Sequence, residues 1–203
     1  MGGHTDIERG ELAEDQALVE RAQAGDREAL GELFVRHAST VRRLLASVIG
    51  PGADLDDLTQ DVFVQVHRSL PRFRREARFT TWLHRVTVNT AISFLRKPRG
   101  RVLPTEPQAL DRVAGDSGAD PHRAHVGREM VRRLYRVLDT LTPKRRVAYT
   151  LFEIEGRSIA EVASCLGVPI TVAKSRIWFA RREVVKKSAE DEYLGPLIAG
   201  LER

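Results

Sequence analysis

Residues 157–182 read RSIAEVASCLGVPITVAKSRIWFARR. Ser158-Ile159-Ala160-Glu161 is a capping box, in which the serine hydroxyl and the glutamate carboxylate satisfy the free backbone donors that open a helix. Val162, Ala163 and Leu166 form an inner face, Ala163 is small enough to let a second helix pack close, and Gly167 supplies the stop. After Val168-Pro169 a longer helix is predicted from about Thr171 to Lys187, with Ala173 and Ile177 completing the packing. A short helix, a glycine turn and a longer helix make helix-turn-helix spacing, whose second helix lies in a DNA major groove. That helix exposes Thr171, Lys174, Ser175, Arg181 and Arg182, with Arg176 also reaching outward and Arg157 at the start of the motif. Such a donor-rich face suits base edges and phosphates. The bland reading of the same residues is a helical hairpin whose charges are only solvated.

Moving outward, a helix is predicted over Val126 to Leu138, presenting Val126, Met130, Leu134, Val137 and Leu138. Thr142-Pro143 then gives an N-cap followed by proline at the first helical position, opening a helix toward Phe152 that Gly156 ends. Upstream, Pro98 to His122 holds four of the nine prolines, three glycines and no sustained apolar period, which is the signature of a linker. Before it lie three more helices. The first is capped by Asp26 and ends at Gly50-Pro51, with Leu30, Leu33, Phe34, His37, Val41, Leu44, Leu45 and Val48 on one face. The second starts near Asp54, buries Leu55, Leu58, Val62 and Val66, and stops before Pro71. The third runs from about Thr80 to Arg96 with Trp82, Leu83, Val86, Ala91, Phe94 and Leu95 as its apolar positions. Strand-like alternation is nowhere sustained. The expected fold is therefore all-α, with two helical domains at 15–97 and 126–188, a flexible linker at 98–125, an acidic extension at 1–14 and a tail at 189–203.

Charge sharpens this division. Lys plus Arg number 33 against 28 Asp plus Glu in 203 residues, a formal +5 and a pI of about 9.8 that favours a polyanionic partner. Residues 68–101 carry ten basic side chains against Glu76 alone, and interleave Arg72, Arg74, Arg75, Arg78, Arg85, Arg96 and Lys97 with Phe73, Phe79, Trp82 and Phe94. Basic groups track phosphates while aromatic faces hold unstacked bases, so the stripe suits single-stranded or opened DNA, although most of those aromatics also serve a core. In DLDDLTQDVF, Asp54, Asp57 and Asp61 share a helix face beside Gln60. That face repels DNA and is either solvated or a dock for a basic protein helix.

Other classes drop out. The longest uncharged stretch is the twelve residues Val162 to Ala173, against about 20 apolar residues for a bilayer span, so no membrane insertion is expected. Asp6, Glu8, Glu11, Glu14 and Asp15 leave no secretory signal near the N-terminus, and the expected location is the cytoplasm. Cys165 is the only cysteine, and the six histidines lack ligand spacing, so neither a disulfide, a metal nor another cofactor is expected. No nucleophile triad or glycine-rich phosphate loop points to an enzyme.

ADLDDLTQDVF, then FTTWLHRVTVNTAISFLRK, then LDTLTPKRRVAYTLFEIEGRSIAEVASCLGVPITVAKSRIWFARR occur in this order over roughly residues 15 to 188. Together they resemble an extracytoplasmic-function (ECF) RNA polymerase sigma factor, the compact class with regions two and four. The resemblance implies a factor that binds bacterial core RNA polymerase, through the clamp coiled coil and the flap, and directs promoter recognition, DNA melting and initiation. It implies that Asp57, Gln60 and Asp61, with Asp54 on the same face, dock on the clamp. It implies that Arg78, Phe79, Trp82, Arg85 and Asn89, with Arg96 and Lys97 beyond them, lie at the minus-ten element. Lys174, Ser175 and Arg176, with Arg157, Thr171 and Arg181, are placed at the minus-thirty-five element, and an anti-sigma factor is implied as a further partner. The alternative is an autonomous helix-turn-helix regulator, which predicts tight operator binding without polymerase. A decoy that sequesters a sigma regulator is a third reading. Fully extended, the 25 residues from Pro98 to His122 reach at most about 80 to 90 Å, enough for two promoter elements about two helical turns apart.

Overall fold

The computed structural model describes residues 3–50, 53–97 and 121–196, with side chains from residue 12 in the first helix and from residue 125 in the fifth. Asp26 starts the first long helix in the way its side chain dictates. Its carboxylate accepts from the N–H groups of Glu28 (2.9 Å) and Ala29 (3.2 Å), and the helix α2 then runs Arg27–Ile49. Ala29, Leu33, His37, Val41, Leu44, Leu45 and Val48 recur at threes and fours and are all buried. A preceding helix, α1 (Gly3–Gln23), lies against α2. It is pinned by Asp15, which is buried with its carboxylate 3.0 Å from His37 Nε2 and 3.3 Å from Arg36 Nε. This helix runs unbroken across residues 14 and 15, where the sequence reading divides an acidic extension from the first domain. Asp54 caps α3 (Leu55–Ser69) through the N–H groups of Asp56 and Asp57, and Pro71 turns the chain through a short 3-10 segment, Leu70–Arg72. The fourth helix, α4 (Phe79–Arg96), closes a bundle with α1, α2 and α3.

In the second domain α5 spans Pro121–Leu138, starting five residues before the expected Val126; proline at the first position of a helix costs no hydrogen bond there. Thr142-Pro143 opens α6 (Pro143–Tyr149), which widens into a π-type turn over Thr150–Ile154, where Glu155 N–H reaches back to Thr150 O at 2.9 Å. The capping box forms at the start of the next helix. Glu161 N–H donates to Ser158 Oγ (3.3 Å), Ser158 N–H donates to Glu161 Oε2 (2.9 Å), and α7 runs Ile159–Leu166 to a left-handed Gly167 at φ +61°. The last helix, α8 (Ile170–Ala189), starts one residue before the expected Thr171 and ends two after Lys187. Among the described residues there is no strand. Residues 98–120 of the linker, Pro51, and Leu197, Ile198 and Leu201 of the tail lie outside the described residues; Tyr193 lies under the Arg133 guanidinium at 4.1 Å and Leu194 is buried in the second domain.

The two domains are packed on each other. One apolar core joins Leu33, Leu45, Leu83 and Val88 of the first to Val147, Leu151, Val162, Ala163 and Ile177 of the second, while Leu138, Ala180, Val184 and Leu194 form a smaller core inside the second. Polar groups lock the seam at the C-terminus of α2, where the final carbonyls of a helix lack internal donors. Tyr135 Oη donates to Ser47 O (2.8 Å) and Ala46 O (3.3 Å). Arg146, only 2% exposed, donates to Val48 O (2.8 Å) and Ile49 O (2.6 Å) and also pairs with Asp139. The cation also complements the negative end of the helix dipole.

Candidate nucleic-acid interface

Three surfaces carry the expected site residues. On α3, Asp57, Gln60 and Asp61 are exposed and their side chains have no partner among the described residues. Asp54 lies on the same face but is engaged as the N-cap, and neighbouring Asp56 is held by Arg42 Nε at 2.8 Å. Val64, one turn further along, is exposed on this face as well. The result is an acidic ridge with an apolar end.

On α4 the spacings of four, three, four and seven put Arg78, Trp82, Arg85, Asn89 and Arg96 on one stripe. Arg78 is the N-cap position, and Arg85, Asn89, Arg96 and Lys97 are exposed. Trp82 is half-buried and stacks on Phe73 with ring centroids 4.8 Å apart. Phe79 is different: it is 6% exposed, packed among His37, Phe73 and Trp82, and serves the core beneath the stripe. A helix start whose first residue is aromatic hides it when the next turn, here Trp82, covers it.

On α8 the buried positions are Ala173, Ile177, Ala180 and Val184, so the opposite ridge is Thr171, Ser175, Trp178 and Arg182, with Lys174 and Arg181 along one flank. Arg176 is half-buried at the edge, and Arg181 is tied to Glu153 of the π-type turn at 2.8 Å. Trp178, 51% exposed, stands in the centre of this ridge with the Arg182 guanidinium 4.8 Å over its ring and Phe179 edge-on at 4.8 Å. Its place was legible as the continuation of Thr171 and Ser175 at helical spacing, and the sequence reading passed it over for the charged residues around it.

Arg157 does not lie with that ridge. It is half-buried between the domains, donating from Nη1 to His84 Nδ1 at 3.2 Å and toward Cys165 Sγ at 3.6 Å. His84 therefore carries its proton on Nε2; burial, then the Arg157 charge, pushes its pKa down to about 4. Burial raises the Cys165 thiol, as suits a packed side chain rather than a nucleophile. Beside this pair the Arg85 guanidinium comes within 3.0 Å of where a side chain at Gly167 would begin, so the turn of the helix-turn-helix sits on the α4 stripe. Among the described residues no group of His, Cys, Asp and Glu could hold a metal ion, and no helix is long and apolar enough to cross a membrane.

Comparison with known proteins matches residues 33–101 to sigma-70 region 2 and residues 131–184 to sigma-70 region 4. The chain is 32% identical over 179 residues to the ECF RNA polymerase sigma-E factor of Escherichia coli, covering 85% of this chain and 93% of that one. This chain is an ECF RNA polymerase sigma factor. The sigma-E factor of Haemophilus influenzae is 33% identical over the same share of this chain and 94% of its own. Among solved structures, CnrH in complex with the cytosolic domain of CnrY aligns with a TM-score of 0.59 at 25% identity, over 88% of this chain and 99% of that one. The sigma factor RpoE of Bartonella quintana, in complex with the anti-sigma factor NepR, shares the fold with a TM-score of 0.56 at 18% identity, over 80% of this chain and 98% of that one. The function of this sigma factor is transcription initiation; the region 2 match begins inside α2 and takes in α3 and α4, and the region 4 match runs from inside α5 into α8. Sigma factors act as regulators, and the reading as an autonomous helix-turn-helix regulator is not favoured.

Proposed function

We propose that the sigma factor divides initiation among its three surfaces. The ridge of Asp57, Gln60 and Asp61 docks on the clamp coiled coil of core polymerase, with Asp54 shaping the start of the helix that carries it. The α4 stripe of Arg78, Trp82, Arg85, Asn89, Arg96 and Lys97 receives the opened minus-ten strand, Trp82 offering a stacking face and the cations tracking phosphates. Phe79 supports Trp82 from below. The α8 ridge enters the major groove of the minus-thirty-five element, where Lys174, Ser175 and Thr171 meet base edges and phosphates, Arg176, Arg181 and Arg182 add backbone contacts, and Trp178 lays its apolar face on thymine methyls. The flap of the polymerase is a second contact for region four. An anti-sigma protein is a further partner, as in the Bartonella quintana complex. Bond formation belongs to the polymerase, no chemistry is assigned to this chain, and its workplace is the cytoplasm.

The observation that carries this reading is the pairing of an exposed acidic ridge without internal partners with two basic faces on separate domains. Reversing a single charge in the ridge tests it. Asp61→Arg is expected to weaken association with core polymerase roughly tenfold, about 1.4 kcal/mol, while circular dichroism stays unchanged because the residue is exposed. Run-off transcription with purified core then falls in parallel. Unchanged core affinity would remove the dock from α3, and a chain that binds core yet yields no transcript from any promoter would be a decoy.

A further inference from the structure

The segment that joins α3 to α4 carries Arg72, Arg74 and Arg78, all exposed and without partners among the described residues. Arg72 and Arg74 flank Phe73, whose ring backs Trp82 at 4.8 Å between centroids. Backbone hydrogen bonds do little to hold this segment. Phe73 N–H donates to Leu70 O at 3.0 Å, but beyond it no N–H of residues 74–78 reaches a backbone carbonyl among the described residues.

The segment is held from α1 instead. Gln23, half-buried at the end of that helix, donates from Nε2 to both Leu70 O and Phe73 O, each at 2.9 Å. Glu20, one turn earlier, pairs with Arg75. Among the described residues Arg75 is the one non-glycine residue with a positive φ, +59°. Such a backbone is strained for a residue with a Cβ and persists where its surroundings fix it; here Glu20 supplies the partner. The corner that presents Gln23 is fixed in turn. Gly25 turns at φ +97°, Asp26 N–H donates to Arg21 O (3.1 Å), and Arg21 Nε donates to Asp26 Oδ2 (2.9 Å). On the other side of the aromatic cluster His37, bonded to Asp15 of α1, lies against Phe79 with centroids 5.4 Å apart. This helix thus reaches Phe73, Phe79 and Trp82 from two sides, although it lies ahead of the stretch that matches region 2.

We propose that Gln23 and Glu20 of α1 are positioning residues for promoter opening, on the reading that the α4 stripe receives the opened strand. They hold residues 70–78 so that Phe73 backs Trp82 and Arg72, Arg74 and Arg78 stand free for phosphates, while Arg75 is a fastening rather than a DNA contact. A face fixed beforehand loses less freedom when it captures a base, and that capture offsets the cost of unstacking the duplex.

Holoenzyme assembled from the full chain and purified core, on a promoter fragment that the parent transcribes, tests this through the permanganate reactivity of unpaired thymines in the minus-ten element. Gln23→Leu removes the donor at similar size and should lower the reactive fraction roughly tenfold, the order of two lost hydrogen bonds. Gln23→Glu should match it, since a carboxylate has no donor for the two carbonyls, whereas Gln23→Lys keeps a donor and should retain most of the opening. Core association should not change, because the acidic ridge occupies the first turns of α3 and the segment follows its last. On a template already unpaired through the minus-ten element the deficits should largely vanish, which a general loss of folded protein would not produce. Glu20→Ala separates positioning from charge and, being exposed, remains informative if a Gln23 variant misfolds. An acid beside a phosphate track repels it, so removing one with no part in the segment would favour opening; as a positioning residue, its removal should reduce opening. Gln23→Leu opening as well as the parent, a deficit in Gln23→Glu alone, deficits that persist on the unpaired template, or Glu20→Ala opening more readily would each overturn the role of α1. Trp82→Ala tells the two readings apart. If it loses opening while the Gln23 and Glu20 variants do not, the stripe stands and α1 is not its support; if it opens as the parent does, the stripe is misassigned and the role of α1 falls with it.

Discussion

His84 sits where burial and charge combine against its protonation: the imidazole is half-buried between the domains, Arg157 contributes most of the repulsion, His37 adds to it, and Glu161 opposes it. With its pKa at about 4 in the packed chain, against an ordinary value of 6.5, the opened or unfolded chain binds the extra proton first. The packed state is therefore most stable above pH 6.5, loses stability as pH falls from 6.5 to 4, and loses no more from this group below that. The full effect is at most about 3 kcal/mol, less what solvent screens at the half-buried ring. Urea midpoints of the parent minus those of His84→Gln, measured across this window, should show a slope that the variant lacks; parallel curves would contradict the assignment. Trp178 presents the reverse case, a large aromatic that supports little of the fold. Trp178→Ala should leave the melting temperature within about 2 °C, as an exposed substitution does, yet weaken minus-thirty-five duplex binding about tenfold, read by fluorescence anisotropy. Such residues show how far the sequence reached. The stripe at 78, 82, 85 and 89 and the ridge at 171 and 175 follow from helical period alone. That Phe79 is buried and Arg157 is turned to the other domain does not, because both depend on what packs against them.

Helix boundaries were legible wherever a side chain makes them. Asp26 and Asp54 each cap by accepting from the N–H groups two and three residues on, Ser158 accepts from that of Glu161, and Gly167 ends α7 in a conformation that side chains resist. Ser158→Ala removes the hydroxyl half of a capping box at the start of the helix-turn-helix. It is expected to cost about 1 kcal/mol, a fall of roughly 2–4 °C in melting temperature for a chain of this size, with DNA affinity reduced only near the melting transition. Calorimetry decides it, and an unchanged melting temperature would mean that α7 is held by packing alone. Where no local signal existed the reading fell short. The opening turn of α5 from Pro121 carries few apolar residues, and no residue in Thr150–Ile154 announces the π-type turn. Likewise the docking of α1 rests on Asp15, which finds Arg36 and His37 on α2, partners 21 and 22 positions away.

Between Lys97 and Pro121 lie 23 residues, and their length sets how far the domains can part. Deleting residues 103–112 leaves 13, a reach of at most about 47 Å, short of the about 68 Å that spans two helical turns. That variant should still bind core polymerase through α3 but lose run-off transcription from promoters with the natural spacing, recovering it where the two elements are moved one turn closer. Transcription unaffected by the deletion would show that the tether does not limit reach. The chain's order of residues determined the all-helical elements, their division at the proline-rich segment and the three faces of opposite charge, since periodicity, caps and charge are local properties written along a helix. That the two domains share a core, that Arg146 and Tyr135 close on the end of α2, and that Gly167 lies on Arg85 follow from the packing of the helices. Those contacts join residues some 80 to 100 positions apart, and nothing in a local pattern records which distant helix end will supply the missing partner for a buried cation.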